Sequence, residues 1–293
     1  MHSMRRTDFL HNLAARKCSH ITCRRHQGKR FPRLSLLLMM LPALFGTTPA
    51  IALADIVTTL PPLAGLVRML DERAAVHCLL PPGADAHSYQ LTPRQVQRLK
   101  TANLFIRASR DDGGWTGLNT PLPALDLWPD TDHAWLVPFE VRRKLPHLAQ
   151  ALQLLAPERR SSIQRALIRA LDVCDRLEAA WGHALAPLRQ RGVVMQHPAW
   201  RRLCRHFNVP VWAVLEPRHH GGGIRPRKLE HALAILRTHP DVILWGDVRH
   251  PNQGLVWLSR HSGGRPVLRF DALGDCGMGW VQLMRLNLER LPS

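Results

Sequence analysis

Pro157 opens a stretch with no internal glycine or proline until Gly182, and its apolar positions recur every three or four residues as far as Leu188. Those positions are Ile163, Leu167, Leu171, Cys174, Leu177, Trp181, Leu185 and Leu188. The spacing lays one continuous apolar stripe along a helix. About 30 residues at 1.5 Å each make a rod of roughly 45 Å, against an ordinary helix of about 12 residues. A rod of that length is suited to bracing two bodies, one on either side of it in the sequence.

Both flanks alternate strands with helices. The first series reads as a strand over Asp55–Leu60, a helix over Leu63–Leu70, a strand over Ala75–Leu80, and strands over Asn103–Ala108 and Ala124–Trp128. Between the second and third strands a helix opens at Thr92-Pro93-Arg94-Gln95, where Thr92 and Gln95 have the spacing of a capping box and Pro93 suits the first turn. The second series reads as strands over Gly192–Gln196, Val209–Leu215, Asp241–Trp245 and Pro266–Phe270, with helices over Pro198–Phe207, Arg225–Thr238 and Trp280–Leu291. Such alternation implies parallel sheets. The expected fold is therefore α/β: two parallel-sheet β/α lobes, over 55–156 and 189–293, joined by one long rigid helix over 157–188.

Residues 1–54 are set apart from this pattern. They carry nine Lys and Arg and one acid, then an apolar run from Leu34 to Phe45, then small residues at Ala52 and Ala54. That order predicts a secretory signal cut before Asp55, and so a periplasmic protein. The apolar run falls short of the roughly 20 residues of a spanning helix, and no cysteine follows the cut to take a lipid. The remainder holds 31 Lys and Arg against 21 acids, out of 40 and 22 in the whole chain, a balance of about +10. Its arginines are interleaved with Leu and Ala along helices rather than massed in one run, which predicts a solvated basic surface and not a nucleic-acid site. Cys78, Cys174, Cys204 and Cys276 form no CxxC pair, and none sits in a nucleophile motif. One disulfide is expected in an oxidising compartment, with Cys204 and Cys276 the pair of choice because both fall in the second half.

His87, His133, His197 and Asp271 each end a predicted strand or lie in the loop after one. Ligands of parallel α/β sheets bind beyond the carboxyl ends of the strands, so the four would meet in a cleft between the lobes. Three imidazoles and a carboxylate suit four-coordinate zinc, and Asp247 is a possible substitute for Asp271. A catalytic zinc would keep one position open for water, and the chain has neither HExxH nor GxSxG. A zinc-dependent hydrolase is thus the alternative of a different class. A basic adhesin using the metal structurally is a third reading.

Four segments carry a family resemblance: Leu80-Pro-Pro-Gly-Ala-Asp-Ala-His87 continuing to Ala102, Asp132-His133-Ala-Trp-Leu-Val-Pro138, His197-Pro-Ala-Trp200, and Arg269-Phe-Asp271-Ala-Leu-Gly274. Together they resemble the periplasmic metal-binding proteins of ABC importers for zinc and manganese, the ZnuA/TroA-type solute-binding family of cluster A-I. The likeness covers essentially the whole chain after residue 54. It implies two α/β lobes on a long rigid helix, metal ligands at His87, His133, His197 and Asp271, and no catalytic turnover. The ion would be Zn²⁺ as transported ligand, handed by a monomer to an ABC permease and its ATPase, with membrane contact only through the permease. Manganese members typically carry Glu at the third position, where this chain has His197, so manganese ranks second. Three departures stand out: Val137 replaces a usual Asp, Gly246-Asp247-Val248 replaces an Ala-Glu-Pro segment, and His219-His220 is at most a reduced form of the long His/Asp-rich loop of many zinc members. Because imidazoles must shed their protons to bind, affinity is expected to fall as pH drops through about 6.5.

Overall fold

The computed structural model of the chain describes residues 54–109, 122–216 and 224–292. The leader expected over 1–54, all but its last residue, and the His219-His220 pair lie outside the described residues. Residues from Ala54 onward cluster as one compact unit.

The N-terminal lobe is built on β1 (Asp55–Thr58), β2 (Ala75–Cys78), β3 (Leu104–Arg107) and β4 (Ala124–Asp126), all parallel, in the order β2-β1-β3-β4. Helix α1 (Pro61–Leu70) starts on Pro61-Pro62, whose missing donors are harmless in a first turn. Helix α2 (Pro93–Thr101) carries the expected capping box: the Gln95 N–H donates to Thr92 Oγ1 at 3.3 Å, and the Thr92 N–H to Gln95 Oε1 at 2.8 Å. On one face of the sheet Val57, Leu79, Leu99, Ala102 and Phe105 form the lobe's core.

Two elements then run side by side. Helix α3 (Pro138–Leu155) has 18 residues where the sequence pattern named no element, since Pro146 in its middle breaks the reading. It packs along α4 (Arg160–Leu185), the 26-residue core of the long rod. The stretch 157–188 is in fact a 3-10 turn at Pro157–Arg159, then α4, then a short turn α5 (Leu188–Arg191). Ile163, Leu167, Cys174, Leu177, Trp181 and Leu185 of the apolar stripe are buried. At 1.5 Å per residue α4 is roughly 39 Å long.

The C-terminal lobe repeats the design. Strands β5 (Val193–Met195), β6 (Val211–Val214), β7 (Ile243–Asp247) and β8 (Val267–Phe270) are parallel in the order β6-β5-β7-β8, the same permutation as in the first lobe. Helices α6 (Arg201–His206), α7 (Pro226–Thr238), α8 (Gln253–His261) and α9 (Trp280–Leu288) accompany them. Strand β7 runs two residues past the expected Trp245, and α8 was not foreseen. Gly246 sits in extended ladder pairing with Arg269.

The lobes meet along a seam. Helix α9 comes from the end of the chain but packs on α1 and α4. A Cβ on Gly65 would lie 2.5 Å from the Trp280 nitrogen, so only glycine lets α1 approach this closely. Trp135 Nε1 donates to the Ala272 carbonyl at 2.8 Å, and Trp280 Nε1 to the Trp135 carbonyl at 2.7 Å. Arg68 Nη1 donates to the Cys276 carbonyl at 2.5 Å. The expected Cys204–Cys276 disulfide is not formed. Cys276 bridges instead to Cys78 at the end of β2, across 198 residues of sequence, while Cys204 and Cys174 are buried free thiols. Position along the chain misleads here because the segment before α9 has crossed onto the N-terminal lobe. Among the described residues no helix is long and apolar enough to cross a membrane.

Candidate metal centre

Each histidine of the sequence pattern is set by a different local device. His87 follows β2 in a turn built by Asp85, whose Oδ1 accepts the His87 N–H at 3.0 Å and whose Oδ2 accepts Ser88 Oγ at 3.2 Å. The turn is moored through Gln95: its Oε1 accepts Tyr89 Oη at 3.0 Å and its Nε2 donates to the Leu79 carbonyl at 2.6 Å. The same glutamine thus caps α2 and ties the His87 loop to the strand end.

His133 follows β4 and adopts the left-handed conformation, φ 54°, at the start of a 3-10 turn over Ala134–Leu136. That region is uncommon for a residue with a Cβ and carries a cost of about 1–3 kcal/mol, which a folded protein retains where the surroundings enforce it. The enforcement is visible: the Leu136 N–H closes the turn onto the His133 carbonyl at 3.1 Å, and Trp135, anchored across the seam, lies 5.1 Å from the His133 ring.

His197 stands two residues beyond the buried strand β5, directly before Pro198, and is 6% exposed. Below it Trp200 packs 5.7 Å from Trp181 of α4, 6.0 Å from Trp245 of β7 and 5.6 Å from Phe270 of β8. An aromatic wedge therefore backs the C-terminal histidine, whereas hydrogen-bonded turns back the other two.

The three rings converge. His197 lies 5.6 Å from His87 and 5.7 Å from His133, and one nitrogen from each of the three falls within 4.8 Å of the others. Donors at 2.0–2.1 Å around a tetrahedral ion are about 3.3 Å apart, so small side-chain adjustments close the set. Among the described residues this is the group of His, Cys, Asp and Glu side chains close enough to share one ion, and neither Asp271 nor Asp247 belongs to it. Asp271 does follow β8, but its Oδ1 accepts the Leu273 N–H at 3.0 Å, the Gly274 N–H at 2.9 Å and Arg249 Nε at 3.3 Å. Asp247 ends β7, 5% exposed, with Oδ1 accepting the Arg249 N–H at 2.7 Å. Burial pushes its carboxyl above the ordinary carboxylate range. The Asp271 charge adds to that rise, and the Arg249 N–H, His250 and the Arg249 guanidinium oppose it.

His250 is the neighbour the sequence pattern missed. Its ring stacks on His197, 4.6 Å between centroids and 18° between planes. Once β7 is seen to run to Asp247, His250 stands just beyond a strand's carboxyl end like the others. Ending the strand at Trp245 had hidden it. Val137, where the resembled family has Asp, is fully buried and begins α3 with no side-chain cap.

Comparison with known proteins agrees with this geometry. The profile of the family described as "Zinc-uptake complex component A periplasmic" matches residues 56–117 and 109–293. A Thermotoga maritima protein named only for metal binding is 28% identical over 273 residues, covering 88% of this chain and 97% of its own. The iron-binding protein YfeA of Yersinia pestis is 21% identical over 257 residues, covering 75% and 79%. A crystal structure of ZnuA superposes with a TM-score of 0.70 at 21% identity, covering 81% of this chain and 97% of that one.

Proposed function

This chain belongs to the family of the periplasmic component A of zinc-uptake complexes, and we propose on that premise that it captures Zn²⁺ between its lobes and delivers it to an ABC permease and its ATPase. The family is a substrate-binding component of transport, not an enzyme. The ligands we assign are His87, His133 and His197. The single observation that carries the assignment is the mutual approach of their nitrogens within 4.8 Å, from three loops at the carboxyl ends of two sheets. We take the lobes as 55–156 and 189–293 around a linker over 157–188, and the leader over 1–54 as the export signal.

Metal choice follows from the donors. Zinc has no preferred d-electron geometry and accepts imidazole readily, whereas manganese and iron(II) sit lower in the affinity series for nitrogen donors and gain more from oxygen. The iron-binding name of the Yersinia relative makes a manganese or iron cargo the second reading. The lobes are joined by a disulfide, a rod and an indole seam, so release to the permease calls for local movement of the His87 and His133 turns rather than a wide hinge.

The test is a titration of metal-free protein with Zn²⁺, Mn²⁺ and Fe²⁺ followed by tryptophan fluorescence, with Trp135 and Trp200 beside the site as reporters. Zinc is expected to bind at least about 100-fold more tightly than manganese. His197→Ala is expected to abolish most of that affinity, and an unchanged zinc curve in this variant removes the assignment.

A further inference from the structure

The carboxylates left out of the histidine group both meet Arg249, Asp271 through its guanidinium and Asp247 through its backbone N–H. The turn after β7 is clipped by Asn252, itself left-handed at φ 54°. Its Oδ1 accepts the Asp247 N–H at 2.9 Å, and its Nδ2 donates to the carbonyls of Asp247 at 2.5 Å and His250 at 2.7 Å. A Cβ on Gly246 would lie 2.5 Å from that Asn252 oxygen, so the clip and the glycine require each other. The clipped turn aims two side chains at the centre: His250 at His197, and Arg249 at Asp271.

Arg249 is 10% exposed at its side chain. Its Nε meets Asp271 Oδ1 at 3.3 Å, its Nη2 donates to the Gly274 carbonyl and stands 3.7 Å from Asp275 Oδ1, and its backbone N–H holds Asp247. With the N–H groups of Leu273 and Gly274, three donors converge on one Asp271 oxygen. Asp271 stands outside the group whose ligand atoms lie within 4.8 Å of one another. Swinging its carboxylate to the ion would disturb the three contacts on Oδ1 and the buried guanidinium, a loss that falls on no imidazole.

We infer, resting on the assignment of His87, His133 and His197 as ligands, that Arg249 is a specificity-determining residue: it holds Asp271 off the ion and keeps the site nitrogen-rich. A recruited carboxylate would add a hard anionic oxygen. Every divalent cation would gain from it, but manganese and iron(II), which favour oxygen donors and more of them, would gain most. The positive neighbour therefore narrows the cargo to zinc by withholding a ligand.

Calorimetric titration of Zn²⁺ and Mn²⁺ into metal-free wild type, Asp271→Asn, Arg249→Gln and the double variant tests this. Asp271→Asn is expected to leave zinc affinity within about threefold, because an uncoordinated side chain beyond the ligands is replaced by one that keeps the same acceptor oxygen. Arg249→Gln is expected to tighten manganese by about tenfold while zinc changes less, and the double variant to return manganese to its wild-type value. A loss of about 100-fold in zinc on Asp271→Asn overturns the inference, as does an unchanged zinc-to-manganese ratio in folded Arg249→Gln. Should Arg249→Gln not fold, the visible spectrum of Co²⁺-loaded protein decides: wild type and Asp271→Asn are expected to coincide, and a shifted spectrum overturns the inference. His197→Ala run alongside separates the two claims. If it keeps its zinc, the ligand assignment fails; if it loses zinc and Asp271→Asn loses as much, only the role of Arg249 fails.

Discussion

In the N-terminal lobe the sheet ends in turns, and two imidazoles ride on them: His87 in a hydrogen-bonded loop exposed to solvent, and His133 in a left-handed residue braced by Trp135. In the C-terminal lobe the same strand order ends on a packed floor. There His197 is buried over Trp200, Trp245 and Phe270, with His250 stacked on its face. The two halves repeat a backbone plan but set their histidines differently: one lobe holds a buried imidazole, and the other presents an exposed and a half-buried one to it.

The largest expected effect concerns what holds the two regions together. Replacing Cys78 and Cys276 with Ser removes a cross-link over 198 residues, and the loop-entropy relation predicts a loss of about 5 kcal/mol. Urea denaturation under non-reducing conditions would measure it. A midpoint unmoved by the replacement would mean that the noncovalent seam alone sets the interlobe geometry. Next comes the contrast between the histidines themselves. His197→Ala is expected to weaken zinc by about 100-fold or more and His87→Ala by roughly tenfold, since the exposed turn leaves room for water to substitute. Equal losses by calorimetry would erase the distinction between the buried and the exposed side.

A smaller effect is expected at the seam. Trp135→Phe deletes the indole N–H that donates to the Ala272 carbonyl and leaves that carbonyl unpaired. A cost of about 1–2 kcal/mol by thermal or chemical denaturation is expected, with zinc binding retained in weaker form. The smallest belongs to the C-terminal floor and depends on pH. Burial raises the Asp247 carboxyl above its ordinary range. A raised carboxyl favours folding while protonated, and that contribution is lost as pH climbs through the folded-state value. Asp247→Asn, which keeps an acceptor for the Arg249 N–H, is thus expected to be slightly more stable than wild type at neutral pH and equal to it well below the carboxylate range. A difference that persists unchanged into acid would show that the gain has another source.

Much of this was legible from residue order, and the gaps have physical causes. Alternating strands and helices, the apolar stripe of α4 and the Thr92–Gln95 cap are local signals, and the two-lobe α/β fold followed from them. The three histidines were legible for the same reason, because a strand's carboxyl end is a local property that the parallel fold turns into a shared location. What local signals missed was written in contacts between distant residues. Pro146 and Gly246 act as breakers only in isolation; packing of α3 along α4, and ladder pairing of Gly246 with Arg269, override them. Cys276 was matched with Cys204 by half of the chain, but α9 lies against α1, and so the thiol belongs beside Cys78. Arg249 and His250 were passed over because their roles exist only once β7 and β8 stand side by side.

The bridge from Cys78 to Cys276 has one more consequence. It turns most of the chain into a covalent ring, and His87, His133 and His197 all lie inside it. A single protease cut anywhere between the two cysteines opens a loop without freeing a fragment. The nicked molecule keeps its full mass on a non-reducing gel and keeps both halves of the cleft tethered at the distance the sulfurs allow. A nick of that kind leaves the three histidines on one covalently connected molecule.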